Sequence, residues 1–474
     1  MELQGAGYFL FLFVVVVAHS ALAARWRMPL LLGASLVFYS FSSVAYLGLF
    51  LVVSTVNYLV VLKLSRSEDG RVRSIVFGAV VALDLLVLAF FKYWSQLMQA
   101  WLDHAALSAL QSGAFEIAAP LGISYFTFQM IACATDAYRR DWAPDGKWSD
   151  FTLFSVFFPQ ITSGPIPRAS RLLPQLSGGA RASAEDREIG LRLIAYGLFK
   201  KFVVANRLND YVTEIFAAPD PGSLLHYSTL PTLVGCIYNV LNLYADFSSY
   251  VDIAMGSARL LGIRLDPNFD RPFTSTSITE LWRRWHMTLS FWLRDYLFMP
   301  LLIRIGELGS AGVVIALIVT FAICGVWHGA SWTFLCFGVS QGVAMSLEAL
   351  TRRWRNRRIK QAPPRLIKLT AWVYTMGFFA LSEVFFRASN LSNAGAVYSR
   401  LFHVEMIQSA AELFAHKGPF DFSLGLVAVA LWFAIARAFR RESAVSTPVF
   451  ALICALLVMF LGHLGNGRFI YAGF

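Results

Sequence analysis

Charged residues are scarce in this chain. Of its 474 residues only 15% are charged and 57% are hydrophobic, whereas an ordinary soluble domain carries about 25% charged and about 45–50% apolar residues. A soluble domain of this composition would have no interior large enough to hold its apolar side chains. The composition therefore excludes a soluble enzyme and indicates a protein that is embedded in a membrane.

Cysteine is also sparse and follows no recognisable pattern. The five cysteines are an odd number, and all lie in apolar runs without the spacing of metal ligands, so neither a disulfide framework nor a zinc site is predicted. Glycine-rich phosphate-binding loops, serine nucleophile elbows and His-Glu-x-x-His motifs are lacking as well. We therefore expect no bound metal and no bound cofactor.

Long uncharged runs dominate the rest of the chain. Met28–Leu62 has 35 residues and Leu308–Leu347 has 40. A 40-residue helix would measure about 60 Å, twice the hydrocarbon core, so each run is predicted to cross twice or to break. Leu3–Ala24 is interpreted as a retained span, because nothing basic precedes it. These and shorter runs predict an all-α polytopic protein with about 10–12 embedded helices in one domain over residues 1–474.

Basic residues outnumber acidic ones, and their clustering indicates sidedness. The net charge is +11, and eight Lys and Arg residues lie between Thr351 and Lys368 without an acid. Such a cluster beside a span marks the cytoplasmic face and can contact anionic lipid. Nucleic-acid binding is disfavoured, because Trp354 is the only aromatic residue in the cluster.

His328 is the only ionisable side chain, apart from two cysteines, in the run Leu308–Leu347. Gly325, Gly329 and Ser331 lie beside it and are poor helix formers, so the run is predicted to break there. A break would let a cavity reach the imidazole, and ionisable groups inside a membrane are often functional. The imidazole is therefore a candidate general base. The alternative is a structural histidine that is hydrogen-bonded between helices.

The segment Ser277–Leu302 is predicted to form a helix with one aromatic side and one basic side. Ser277 and Glu280 have the spacing of a capping box, which would start the helix. His286 falls between the aromatic arc and a face that carries Arg283, so its ring could contact a substrate that enters from the water. An interfacial helix without a catalytic role would show the same pattern.

Two further polar features are weaker. Asp246 and Asp252 are six residues apart and face different ways on a helix, so we expect them to orient neighbouring side chains or to line a polar cavity. The proline-rich segment Phe157–Pro167 cannot be a regular helix throughout, and we interpret it as re-entrant backbone that lines a cavity.

Together these segments resemble the membrane-bound O-acyltransferases, and within them the bacterial alginate O-acetyltransferase branch. The signatures follow one another in the family's order over residues 157–330, as Phe157–Arg168, Asp246–Asp252, Pro267–Phe273, Trp282–Ser290, Leu293–Tyr296 and Trp327–Ala330. Val384–Ala388 is also similar to the branch. Gln341-Gly342 stands where the branch often has a histidine-glycine pair.

The resemblance implies a fold and a set of functional residues. The fold would be a ring of tilted helices around a central cavity that narrows at a buried histidine. His328 would be the general base, and His286 a second essential polar residue. The motif residues that would contact substrate are Trp327, Trp285, Arg283, Arg284, Asn268 and Asp246.

The resemblance also implies a reaction. An acetyl group from acetyl-CoA would cross the bacterial inner membrane to hydroxyls of a cell-envelope polysaccharide such as alginate or cellulose. It would pass directly or through a periplasmic acetyltransferase partner, and we expect membrane lipids but no nucleic acid as further partners. Two alternatives stay open, namely D-alanyl transfer to teichoic acid from a carrier-protein thioester and a non-enzymatic proton-coupled transporter.

Overall fold

Helices are the only regular secondary structure in the part of the chain that the structure describes. The computed structural model describes residues 3–104, 117–144, 146–162, 164–216, 228–359, 363–402, 419–440 and 445–463. The predicted all-α fold is therefore confirmed. The predicted ring of helices around a central cavity stays a prediction.

The described residues of the first half of the chain form ten α-helices. They are α1 Ala6–Ala21, α2 Ala24–Ser40, α3 Val44–Arg66, α4 Gly70–His104, α5 Ile123–Arg139, α6 Trp148–Val156, α7 Ala169–Ser177, α8 Ala184–Phe199, α9 Asn206–Phe216 and α10 Thr229–Leu260. A π-helical turn, Lys200–Ala205, joins α8 to α9. Helix α5 lies in the interior, because 14 of its 17 residues are buried.

The helices of the second half include three short ones and several long apolar ones. They are α11 Ile278–Arg284, α12 Met287–Leu293, α13 Met299–Ile305, α14 Ser310–His328, α15 Trp332–Ile359, α16 Pro364–Arg387, α17 Leu391–Phe402, α18 Pro419–Arg440 and α19 Thr447–Leu461. A second π-helical turn, Arg294–Phe298, joins α12 to α13.

Six of the described helices are long and apolar enough to cross a membrane. They are Val44–Arg66, Gly70–Met98, Ser310–His328, Trp332–Arg355, Pro364–Arg387 and Phe422–Arg440, and two shorter apolar helices are Ala6–Ala21 and Thr447–Leu461. Large apolar side chains stand exposed along them, for example Leu86 at 68% and Phe433 at 66%. Lipid must cover such surfaces, so the protein is a multi-pass membrane protein.

Both long uncharged runs are interrupted, and the second breaks beside His328 as predicted. The first is divided between α2 and α3, and the Ser43 hydroxyl accepts a hydrogen bond from Tyr46 N at 3.3 Å to start α3. The second is divided between α14 and α15, with Gly329 in extended backbone directly after His328. The prediction that each run crosses twice or breaks is confirmed as to the break. Both helices of the second run are candidate spans, whereas in the first run only Val44–Arg66 is one, so two passes of that run stay a prediction. The segment Phe157–Pro167 is irregular, also as predicted.

The described residues divide into two compact units. The first contains the residues up to Ile194 together with Tyr250–Pro267, and the second contains Ala195–Ser249 and the residues from Asn268 onward. Within the first unit, the Tyr8 hydroxyl donates to Ser257 Oγ at 2.9 Å, which ties α1 to the end of α10. All residues predicted for the functional site lie in the second unit. The prediction of one domain over 1–474 stays a prediction.

Two glycines let α14 and α15 touch backbone to backbone. A Cβ atom at Gly325 would lie 2.2 Å from the Phe334 carbonyl oxygen, and one at Gly338 would lie 2.1 Å from the Phe321 carbonyl oxygen. Backbone atoms cannot rotate away as a side chain can, so both positions require glycine. The close contact fixes the end of α14, which carries His328.

We expect Gly338→Ala to lower the free energy of unfolding by about 1–3 kcal/mol, because the added methyl group overpacks the helix contact. Gly377→Ala is the matched control, since nothing lies within 4 Å of a Cβ atom at that position of α16. There the better helix propensity of alanine should be neutral or stabilising by up to about 1 kcal/mol. Thermal unfolding of the two purified variants measures the difference, and equal stabilities would contradict the proposed contact.

Candidate functional site

His328 occupies the last position of α14 and is only 4% exposed. Aromatic rings surround it. Their centroids lie 4.6 Å away for Trp327 and 4.9 Å for Phe386, and 6.2 Å for Phe334 and 6.4 Å for Phe337. The imidazole is therefore enclosed by aromatic side chains of α14, α15 and α16, which largely exclude bulk water.

His286 interrupts the segment that was predicted to be one amphipathic helix, and that prediction is wrong. Helix α11 ends at Arg284 and α12 begins at Met287, while His286 adopts left-handed backbone with φ 42°. The imidazole is 1% exposed rather than at a water-facing edge. The break is stabilised from outside the segment, because Met287 N donates to the Asn268 carbonyl oxygen at 2.8 Å.

Asn268 also holds the imidazole of His286. Its Oδ1 atom lies 3.2 Å from His286 Nδ1 and accepts from both the backbone N (3.1 Å) and the hydroxyl (2.8 Å) of Thr288. An amide oxygen only accepts hydrogen bonds, so Nδ1 carries the proton and Nε2 carries the lone pair. Asn268 Nδ2 is buried and has no hydrogen-bond partner among the described residues. Asn268 thus orients His286 through Oδ1, and its Nδ2 can donate a hydrogen bond to another group.

Burial lowers the pKa of His286 from 6.5 to about 3, although a backbone hydrogen bond acts in the opposite direction. Between pH 6.5 and about 3 the unfolded chain binds a proton on this ring and the folded chain does not. Folded stability should therefore fall as the pH decreases from 6.5 towards 3, by up to about 1.4 kcal/mol per pH unit. Thermal unfolding between pH 7.5 and 5.0 should show a steeper loss for the wild type than for His286→Gln. Parallel curves would contradict this prediction.

The capping interaction at the start of α11 differs slightly from the predicted one. Ser277 Oγ accepts from Glu280 N at 3.0 Å, as predicted, but the Glu280 carboxylate accepts from Thr276 N at 2.9 Å instead of from Ser277 N. Glu280 also pairs with Arg284 at 3.0 Å. Arg284 in turn reaches Asp270 at 3.1 Å, so its charge is already compensated within the protein.

The remaining predicted contact residues differ in what they touch. Trp285 is 4% exposed and its ring packs against Phe269 at 5.3 Å and Phe379 at 5.1 Å. Arg283 is exposed and has no ion-pair partner among the described residues. Trp327 contacts His328 directly. Substrate binding by these residues stays a prediction.

Asp246 forms a buried ion pair that the sequence analysis missed. Its Oδ1 lies 2.6 Å from Lys201 Nζ, and the two side chains are 3% and 2% exposed. The adjacent Lys200 donates to Ser248 Oγ at 2.7 Å and lies 4.7 Å from the centroid of the Tyr196 ring. Both lysines lie on the π-helical turn, a feature that is frequent at functional sites. Asp246 therefore contacts a lysine of this turn, and its contact with substrate stays a prediction.

Helix α16 contacts the surroundings of both histidines. Phe379 packs against Trp285, and Phe386 packs against His328 two turns later, a rise of about 10 Å. Between them Gln341 Nε2 donates to Ser382 Oγ at 2.8 Å and Gln341 Oε1 accepts from Trp282 Nε1 at 3.2 Å. Gln341 thus connects α11, α15 and α16.

Glu383 is a second buried polar residue that the sequence analysis missed. It is 1% exposed within a candidate span, and its Oε2 atom has no hydrogen-bond partner among the described residues. The signal was present, since an acid that follows the uncharged run 369–382 is costly in a membrane.

Comparisons with known proteins cover most of the chain. A model of the membrane-bound O-acyltransferase family matches residues 147–389. The chain is 34% identical to the probable alginate O-acetylase AlgI of Azotobacter vinelandii, over 83% of this chain and 76% of that protein. It is 32% identical to the peptidoglycan O-acetyltransferase of Helicobacter pylori, over 81% and 76%. It is 28% identical to the teichoic acid D-alanyltransferase of Streptococcus thermophilus, over 68% and 82%.

Proposed function

Because this chain belongs to the membrane-bound O-acyltransferase family, and is therefore an acyltransferase, we propose that it O-acetylates a cell-envelope polysaccharide with acetyl-CoA as donor. The acceptor proposal is supported by relatives named as alginate and peptidoglycan O-acetylating proteins, which are more similar to the chain than the D-alanyltransferases. The predicted cytoplasmic side of the basic residues 351–368 supports a donor from the cytoplasm and residence in the inner membrane.

The observation that carries the mechanism is the position of His328, a buried imidazole at the break between two membrane-spanning helices. Its ring would accept the proton of the acceptor hydroxyl while that oxygen attacks the thioester carbonyl. As the carbon–sulfur bond breaks, the imidazolium would return the proton to the leaving thiolate. The aromatic rings around His328 would exclude water, which otherwise competes with the acceptor for the thioester.

His286 and Asn268 would assist as hydrogen-bonding groups. The hydrogen bond to Asn268 fixes the Nδ1–H tautomer, so His286 Nε2 can accept a hydrogen bond from a substrate hydroxyl. Asn268 Nδ2 can donate to a substrate oxygen. We propose that this pair binds the acceptor, and a periplasmic acetyltransferase partner could take the place of the polysaccharide as the immediate acceptor.

Purified protein in proteoliposomes tests the proposal. With acetyl-CoA labelled in the acetyl group, we expect free CoA to appear only when alginate oligosaccharides or a periplasmic partner protein is added, and the label to appear on the acceptor. A D-alanyl carrier-protein thioester is the parallel donor. Transfer from that donor alone would contradict the acetyl proposal, and movement of substrate without thioester cleavage would contradict acyl transfer.

A further inference from the structure

A basic groove lies where the end of α15 meets the start of α16 and the start of α11. It has a volume of about 680 Å³, and four cationic side chains line it, namely Arg283, Arg352, Arg355 and Lys368. We call this site the basic groove. Because α15 and α16 follow each other as membrane-spanning helices, it lies at the level of one membrane surface. The basic residues 351–368 predict that this surface is the cytoplasmic one.

The four cations of the basic groove outnumber its one carboxylate, so the groove carries net positive charge. Glu348 also lines it, but its oxygens accept hydrogen bonds from Ile278 N at 2.7 Å, and from Thr279 N at 3.0 Å and the Thr279 hydroxyl at 2.8 Å. Those bonds start α11. Arg352 and Lys368 are exposed and have no ion-pair partner among the described residues. The groove therefore attracts an anion.

An apolar chamber adjoins the basic groove. It has a volume of about 460 Å³, and its walls include Leu293, Phe298, Leu317 and Met345. Thr279, Arg283 and Ala349 line both the chamber and the groove, so the two cavities meet at these residues. We call this site the apolar chamber. Next to it α13 exposes apolar side chains, including Ile303 at 77%, a surface suited to contact with lipid acyl chains.

We propose that the basic groove and the apolar chamber together bind one anionic phospholipid of the cytoplasmic leaflet. The headgroup phosphate would contact the cations of the groove, and part of an acyl chain would fill the chamber. Basic side chains beside a span lie at the level of anionic headgroups and attract them. A water-soluble phosphate compound could occupy the groove, but it would leave the chamber empty. The proposal assigns Arg283 to the lipid instead of to the substrate, and it does not rest on the proposed acetyl transfer at His328.

Native mass spectrometry of the purified full-length chain tests the proposal, with dioleoyl phosphatidylglycerol as the anionic probe and dioleoyl phosphatidylcholine as the zwitterionic one. We expect one phosphatidylglycerol to be retained in preference to phosphatidylcholine, and excess CoA not to displace it. Equal retention of the two lipids would overturn the proposal. Displacement by CoA would overturn it as well, because the groove would then be a site for a soluble phosphate compound.

Three variants locate the site. Arg352→Ala combined with Lys368→Ala should weaken phosphatidylglycerol binding about 30-fold, because each cation near a membrane surface contributes roughly a fivefold change. The control combines Arg437→Ala with Arg440→Ala, which removes two exposed cations from the end of α18. This control should change phosphatidylglycerol binding less than twofold. Ala349→Phe keeps every charge but blocks the junction with the chamber, and should also weaken binding at least tenfold. Unchanged binding by the first or the third variant would overturn the proposal.

Discussion

Replacing His328 with alanine should reduce the rate of acetyl transfer by about 10²–10⁴-fold, the usual contribution of a positioned general base. The loss should appear in kcat with little change in KM for the donor, because the imidazole is needed for proton transfer rather than for donor binding. The rate is measured as acceptor-dependent release of CoA in proteoliposomes. A variant that retains more than a tenth of the wild-type rate would contradict the assignment.

Loss of packing must be separated from loss of the base. His328→Gln keeps a polar side chain between Trp327 and Phe386 but provides no base, so it should be as inactive as the alanine variant. His463→Ala is the control for removal of a histidine, since this residue is 36% exposed and pairs with Asp210 at 3.1 Å. We expect it to retain activity. Equal thermal unfolding of the His328 variants and the wild type shows that the fold is intact.

Replacing Lys201 with methionine should lower the free energy of unfolding by about 3–5 kcal/mol. The change leaves the buried carboxylate of Asp246 without its cation, and an uncompensated charge in the interior is strongly destabilising. Thermal or denaturant unfolding measures the loss. Arg171→Met is the comparison, because Arg171 and Asp266 form an exposed pair at 3.0 Å and its removal should cost less than about 1 kcal/mol.

The double variant Lys201→Met with Asp246→Leu distinguishes a structural pair from a substrate contact. Removing both charges should restore much of the stability, since apolar residues often replace a buried ion pair at no cost. If Asp246 only orients Lys201, the restored protein keeps its KM for the acceptor. A large rise in KM without a loss of stability would instead support the predicted contact of Asp246 with substrate.

The sequence predicts the parts of the site that depend on local chemistry. The break after His328 follows from the poor helix formers Gly329 and Ser331 and from a run too long for one crossing. The helical class and the membrane location follow from composition. In each case the physical cause is the composition of the chain or the local sequence of one helix. Both can be read from a single sequence through propensity and periodicity.

The parts that the sequence could not predict depend on contacts between distant segments. Nothing between Trp285 and Met287 is a helix breaker, and the left-handed backbone at His286 is held by Asn268, 18 residues earlier. Lys201 and Asp246 are 45 residues apart and meet only in the fold. Tertiary contacts of this kind override a local helical pattern. Which distant residues form them cannot be derived from a single sequence.

The glycine contact between α14 and α15 has a consequence for how acyl-group selectivity can evolve. Two helices that touch through Gly325 and Gly338 have no layer of side chains between them that could adapt to a longer substrate. Room beside His328 can instead change through the rings that face it from α15 and α16, such as Phe337 and Phe386. Substitutions at Phe337 and Phe386 should therefore change the length of the acyl chain that the enzyme accepts. The backbone contact between α14 and α15 would stay the same in all such variants.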